Sequence, residues 1–110
     1  MAVLHIIAAV GTIVVGLYSL IWPHGIRGFT GLAAEGGRGV TEIRAVLGGF
    51  FIGLGLFAMV LGGEAYRLLG WAYLVVAAVR GVSMFIDRSV VRSNLISFAS
   101  EVLLGLMLIF

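Results

Sequence analysis

Four long runs of apolar residues, separated by short polar segments, dominate the pattern along the chain. They occupy residues 3–22, 41–61, 67–86 and 93–110. A helix needs about 20 predominantly apolar residues to cross a bilayer, and each run has roughly that length. The runs lack the strict alternation that marks a membrane barrel strand. The pattern therefore predicts an all-α polytopic membrane protein, with the chain 1–110 forming one antiparallel four-transmembrane-helix bundle.

The connections between these predicted helices are short, which favours antiparallel packing of consecutive helices. The first connection, Pro23 to Val40, is the longest, and Pro23 marks the end of the first helix. This connection contains the run Gly36-Gly37-Arg38-Gly39. Because no strand precedes the run and its spacing fits neither nucleotide-binding fingerprint, we interpret it as a flexible loop.

The composition supports the membrane assignment. Hydrophobic residues make up 62% of the chain and charged residues 11%, whereas a soluble domain is about half apolar and a quarter charged. The chain also has no Cys. These values exclude a soluble enzyme domain, a disordered chain and a disulfide scaffold. The first run lacks a positively charged start and a cleavage site, so we interpret it as a span and not as a signal peptide.

The arginines predict the orientation, because positively charged loops of membrane proteins stay in the cytoplasm. The first and third connections lie on the same side and hold Arg27, Arg38, Arg88 and Arg92. The opposite side holds Arg67. We therefore expect a multi-pass protein with these two connections in the cytoplasm and both chain termini outside.

Four charged residues fall inside the predicted spans, where each charge is costly and needs an explanation. At about 1.5 Å per residue, Glu42 and Arg44 lie roughly 2 and 5 Å inside the cytoplasmic end of the second span. Arg80 lies roughly 9 Å and Glu101 roughly 12 to 14 Å inside the same membrane half. The two positive and two negative charges can neutralise one another if the helix faces converge. We treat the four as a candidate polar network or ligand site, with interhelical stabilisation as the alternative role.

Stripes of small residues predict close helix packing. Ala45, Gly49 and Gly53 recur every four residues on the second span, and the first span carries Ala8, Thr12 and Gly16 in the same pattern. Such stripes let helix backbones approach each other in a membrane. We expect one stripe to pack inside the bundle and leave the other open for oligomerisation.

Metal and cofactor sites have little support in the sequence. The chain has no Cys, and its two histidines are widely separated and lack ligand spacing. Ser, His and acidic residues also do not meet at one membrane depth, which disfavours nucleophilic catalysis. We expect no metal, no cofactor and no catalytic residue. The expected partners are the lipid bilayer and other membrane-protein subunits or a second copy of the chain, and not nucleic acid.

The segment Thr41-Glu42-Ile43-Arg44-Ala45-Val46-Leu47-Gly48-Gly49 resembles the signature of domain-of-unknown-function family 4345, a family of small four-span bacterial membrane proteins. Its members typically carry an Asn-Glu-(Ile/Leu)-Arg-Ala-x-x-Gly-Gly run at the start of the second span. They also have an Arg late in the third span and a Glu inside the fourth, which Arg80 and Glu101 match. Thr41 stands where Asn is common, and both residues cap helices. The resemblance implies a four-helix protein of the bacterial cytoplasmic membrane and supplies no activity.

Three functions stay open at this point. The first is an accessory or assembly subunit that packs within a larger membrane complex, favoured by the small-residue stripes and minimal loops. The second is a small homo-oligomeric transporter or channel in which Glu101, with Arg80, binds a proton or cation. The third is a membrane-embedded enzyme or lipid-binding protein, with Arg44 and Arg80 holding an anionic group and Glu42 or Glu101 as acid and base.

Overall fold

The computed structural model describes residues 2–110, and every regular element in that range is helical. Four helices in this range are long and apolar enough to cross a membrane: helix 1 (Ala2–Ile21), helix 2 (Gly36–Leu61), helix 3 (Gly63–Ile86) and helix 4 (Arg92–Ile109). A short helix, Arg27–Thr30, lies in the first connection. The predicted all-α fold with four membrane-length helices is confirmed. Helices satisfy all their backbone hydrogen bonds internally, which hydrocarbon demands.

Helix 2 begins earlier than its apolar pattern indicates. The run Gly36-Gly37-Arg38-Gly39 forms the first turn of the helix, so its interpretation as a flexible loop is wrong. One reason is local, because Arg38 forms an ion pair with Glu42 four residues later along the same helix. Such a pair stabilises a helical turn by a few tenths of a kcal/mol. Hydrophobic patterning misses this turn because its residues are glycine and charge.

The turn between helices 2 and 3 is shorter than predicted. Helix 2 ends at Leu61 and helix 3 begins at Gly63, whereas the apolar pattern places the start of the third span at residue 67. Gly62 and Gly63 have φ values of +69° and +37°. Glycine adopts these positive φ values without the steric cost that a Cβ brings. Two glycines therefore reverse the chain direction.

Helix 2 contains a π-helical segment, Ile43–Phe50, between the α-helical segments Gly36–Glu42 and Phe51–Leu61. A π-helix closes hydrogen bonds from residue i to residue i+5, so its turn is wider than that of an α-helix. Ile43 and Gly48, five residues apart, are accordingly both buried. The wider turn rotates the rest of the segment relative to a regular helix.

Helices 1 and 2 pack antiparallel through glycine. A Cβ built on Gly16 would lie 2.7 Å from the carbonyl oxygen of Gly48, and one on Gly55 would lie 2.5 Å from the carbonyl oxygen of Ala9. Real Cβ atoms essentially never come this close to another atom. The buried residues of helix 1 are small, namely Ala8, Ala9, Thr12, Gly16 and Ser19. The first-span stripe of Ala8, Thr12 and Gly16 therefore packs inside the bundle.

Helices 3 and 4 form a second antiparallel pair of the same kind. A Cβ on Gly70 would lie 2.9 Å from the carbonyl oxygen of Gly105, and one on Gly105 would lie 3.0 Å from that of Gly70. A buried cluster of Ala8, Ala58, Leu69 and Leu108, one residue from each helix, joins the two pairs. The Cα atoms extend over 39 × 31 × 16 Å, so the bundle is about twice as wide as it is thick.

Candidate functional site

Arg80 of helix 3 and Glu101 of helix 4 form a bidentate ion pair. The guanidinium Nε donates a hydrogen bond to Glu101 Oε1, and Nη2 donates one to Oε2, each at 2.8 Å. This parallel arrangement is the strongest geometry available to an arginine and a carboxylate. The pair joins two helices whose backbones already meet at Gly70 and Gly105. Two of the four predicted site residues therefore come together.

Asn94 completes this site and was not found from the sequence. Arg80 Nη1 donates to Asn94 Oδ1 at 2.9 Å, and Asn94 Nδ2 donates to the carbonyl oxygen of Ser89 at 2.9 Å. Ser89 lies in the turn between helices 3 and 4, so the ion pair is connected to that turn. Asn94 precedes Glu101 by seven residues and thus shares its helix face. This seven-residue spacing is the feature of the sequence from which Asn94 could have been predicted as part of the site.

The ion pair leaves little of the carboxylate free. The Glu101 side chain is 13% exposed and the Arg80 side chain 32%. Both oxygens of Glu101 accept hydrogen bonds from Arg80, and the two formal charges cancel. A buried charge that is fully paired in this way costs far less than an isolated one. The arrangement fits a structural connection between helices 3 and 4 better than an exchangeable proton or cation site.

Glu42 and Arg44 do not join this pair, so the structure does not bring the four charges together in one network. Glu42 forms its ion pair with Arg38, and both side chains are more than half exposed. Arg44 donates from Nε to the carbonyl oxygen of Leu20 at 3.1 Å. That carbonyl lies in the last turn of helix 1, where carbonyl groups lack helical donors and favour a positive charge. In the sequence, the four residues were grouped by their depth along the membrane. In the structure they lie on helix faces that contact different neighbours.

The second-span stripe does not face helix 1. Ala45 and Gly49 are exposed, and a Cβ added at Gly53 would meet no atom within 4 Å. Helix 2 packs internally through Gly48 and Gly55. Of the two stripes, the one on the first span packs inside the bundle, and Ala45, Gly49 and Gly53 are not packed against another helix of the chain. The π-helical segment contributes to this rotation because its turn is wider.

A hydrogen bond connects helices 1 and 3 near the centre of the bundle. The hydroxyl oxygens of Thr12 and Tyr73 lie 2.5 Å apart, and Thr12 donates to the carbonyl oxygen of Ala8 at 2.9 Å. Tyr73 is therefore the donor to Thr12. Near the connection between helices 2 and 3, the ring centroids of His5 and Tyr66 lie 4.8 Å apart, with the ring planes tilted by 32°. His5 Nε2 is buried and has no hydrogen-bond partner among the described residues.

A groove of about 460 Å³ borders the ion pair on the outer side of helix 3. We call it the Arg80 groove. Its apolar lining is Val75, Val76, Val79 and Met84, and its polar lining is Arg80, Ser83, Asp87, Ser89 and Asn94. The volume falls within the range of small-molecule sites, about 300 to 1,000 Å³. Neither Glu42 nor Arg44 lines this groove.

Within residues 2–110, no three His, Asp or Glu side chains are grouped so that they could hold a metal ion. Comparison of the chain with known protein families, curated proteins and solved structures finds no match. Candidate functions must therefore be weighed on the geometry of the chain's own residues.

Proposed function

We propose that this small integral membrane protein acts by helix packing, as an accessory or assembly subunit of a larger membrane complex. The observation that supports the proposal is the outward position of Ala45, Gly49 and Gly53 on helix 2. Small residues on a membrane helix allow the backbone of another helix to approach closely. Internal packing uses Gly48 and Gly55, so it does not account for this second set of small residues.

The outward face of helix 2 also carries large side chains beside the small ones. Phe50 is 60% exposed and Phe57 is 55% exposed. Bulky residues beside glycines form a surface of alternating height, which a partner helix can match by placing its own side chains over the glycines. Dispersion contacts of this kind drive helix association in lipid, where there is no hydrophobic gain between helices. We propose a transmembrane helix of another subunit as the occupant.

The two alternative functions receive less support from the geometry. A transporter that uses Glu101 needs that carboxylate to exchange a proton or cation, yet both of its oxygens accept hydrogen bonds from Arg80. An enzyme that uses the four charged residues needs a cavity that joins them. The Arg80 groove contains Arg80 and neither Glu42 nor Arg44.

We further propose the membrane and the orientation of the protein. Arg27, Arg38, Arg88 and Arg92 lie in or directly beside the first and third connections, against Arg67 on the opposite side, which supports placing those connections in the cytoplasm. Membership of domain-of-unknown-function family 4345, and with it a bacterial cytoplasmic membrane, is a proposal that rests on the run from Thr41 to Gly49.

Site-specific photo-crosslinking in intact membranes tests the packing proposal. A photoreactive residue at Gly49 is expected to give a discrete adduct with another integral membrane protein, identified by mass spectrometry. The same residue at Val82, which is 61% exposed on helix 3, is the matched control and is expected to give none. The adduct at Gly49 is expected to disappear when Gly53→Leu fills the stripe, and to persist in Val82→Leu.

Three outcomes would contradict the accessory role. An adduct with a second copy alone would favour the homo-oligomer alternative. An adduct with lipid alone would mean that no protein helix covers this face. A protein adduct that survives Gly53→Leu would show that close approach at the small residues is not what binds the partner.

A further inference from the structure

The Arg80 groove has a polar end and an apolar end, in the order that a membrane lipid has. Ser83 and Asp87 follow Arg80 by three and seven residues, which places Asp87 about 10 Å closer to the membrane surface. Val79, Val76 and Val75 precede Arg80 and extend up to about 7 Å toward the membrane centre. Ser83 and Asp87 thus lie toward the end where lipid headgroups are, and the three valines lie toward the end where acyl chains are.

Hydrogen-bond donors are available in the groove although Arg80 is already paired. A guanidinium has five N–H groups, and Arg80 uses three of them for Glu101 and Asn94. The remaining two N–H groups have no partner among the described residues. Together with the hydroxyl of Ser83 they are suited to the oxygens of a phosphate group.

A carboxylate at the outer end of the groove completes its charge pattern. Asp87 lines the groove and forms no ion pair within residues 2–110. Since the charge of Arg80 is balanced by Glu101, the groove does not favour a ligand with net negative charge. A ligand with a phosphate toward Arg80 and an ammonium group toward Asp87 matches both charges. Arg88 and Arg92 belong to the same region of the chain but do not line the groove.

We infer that the Arg80 groove binds a phospholipid whose headgroup carries a phosphate and a primary amine, as in phosphatidylethanolamine. The phosphate lies against Arg80 and Ser83, and the amine donates to Asp87. The acyl chain packs along Val79 and Val76. A primary amine donates hydrogen bonds to a carboxylate, whereas the methylated ammonium of phosphatidylcholine has no N–H to donate.

Native mass spectrometry of the purified full chain tests this inference. The protein is reconstituted with equal amounts of phosphatidylethanolamine, phosphatidylcholine and phosphatidylglycerol that have identical acyl chains. We expect about tenfold greater retention of phosphatidylethanolamine than of the other two, the effect of one charge-assisted hydrogen bond. Asp87→Asn is expected to reduce its retention to the level of phosphatidylcholine.

Two tryptophan variants separate binding in the groove from binding elsewhere. Val79→Trp fills the groove and is expected to abolish the retention. Val82→Trp is the matched control, because Val82 is on the same helix, is equally exposed and does not line the groove. Equal retention of the three lipids, or stronger retention of phosphatidylglycerol, would overturn the inference. So would undiminished retention in Asp87→Asn or Val79→Trp.

Discussion

Removing one partner of the Arg80–Glu101 pair should destabilise the bundle far more than removing both. Glu101→Gln leaves the guanidinium unpaired within the membrane, and Arg80→Gln leaves the less exposed carboxylate unpaired. An unpaired charge at the centre of a membrane helix costs about 2.5 to 3.5 kcal/mol, and a broken buried pair about 3 to 5 kcal/mol. Because Arg80 is 32% exposed and Glu101 13% exposed, we expect about 3 kcal/mol for Glu101→Gln and about 4 kcal/mol for Arg80→Gln.

The double variant Arg80→Gln/Glu101→Gln places two neutral amides at the same positions, where they can still bond across the helix pair. Interhelical hydrogen bonds of this kind contribute about 0.6 to 1.7 kcal/mol. We therefore expect the double variant to lose about 2 kcal/mol of unfolding free energy. The two single variants together would lose about 7 kcal/mol, so the coupling free energy between the two residues is about 5 kcal/mol.

The assay is reversible unfolding in mixed micelles, titrated with sodium dodecyl sulfate and followed by near-ultraviolet circular dichroism. It measures the free energy of unfolding of the unchanged protein, the two single variants and the double variant. Ser100→Ala is the control, since Ser100 is exposed on helix 4 and bonds within its own helix to the carbonyl oxygen of Ile96. Its effect should stay within about 0.5 kcal/mol. Additive single effects, or single effects below about 1 kcal/mol, would refute the assignment of the pair as the connection between helices 3 and 4.

Three further measurements follow from the packing and the orientation. Gly55→Ala should destabilise the bundle because its Cβ would meet the carbonyl oxygen of Ala9. Gly53→Ala has open space around it and should leave the stability unchanged or increase it by about 0.5 to 1 kcal/mol. The same unfolding titration compares the two variants. Tyr73→Phe should cost about 1 kcal/mol, and no loss would mean that its hydrogen bond to Thr12 contributes nothing. Because the chain has no cysteine, a single introduced one can report the orientation. When an impermeant thiol reagent is added to intact cells, Glu64→Cys should react and Gly28→Cys should not. The reverse pattern would show that the orientation is inverted.

Part of the candidate site was predictable from charge alone. Arg80 and Glu101 stood out because a charge inside a 20-residue apolar run requires a partner. Their complementary signs and similar depth made a pair between them the simplest arrangement. Asn94 was missed because a neutral amide near the start of a helix resembles an ordinary cap, although its spacing from Glu101 placed both on one face.

The positions of Glu42 and Arg44 were not predictable from depth. Depth places both residues in the same membrane half as Arg80, but Arg44 bonds to helix 1, whereas Arg80 of helix 3 bonds to helix 4. Arg38, the partner of Glu42, was assigned to a loop because glycine surrounds it. Only the folded turn shows that these two residues are neighbours on one helix.

The sequence by itself determined the number of spans, their approximate limits and the helical state of the chain, because hydrocarbon leaves a backbone no other way to satisfy its hydrogen bonds in single runs of this length. The tertiary structure decided which glycines pack and which charges pair. Apolar side chains are acceptable on every face of a membrane helix, so the hydrophobic pattern does not define the rotation of a helix about its axis. The π-helical turn at Ile43–Phe50 and the glycine contacts define it here, which places Gly48 inside the bundle and Gly49 outside.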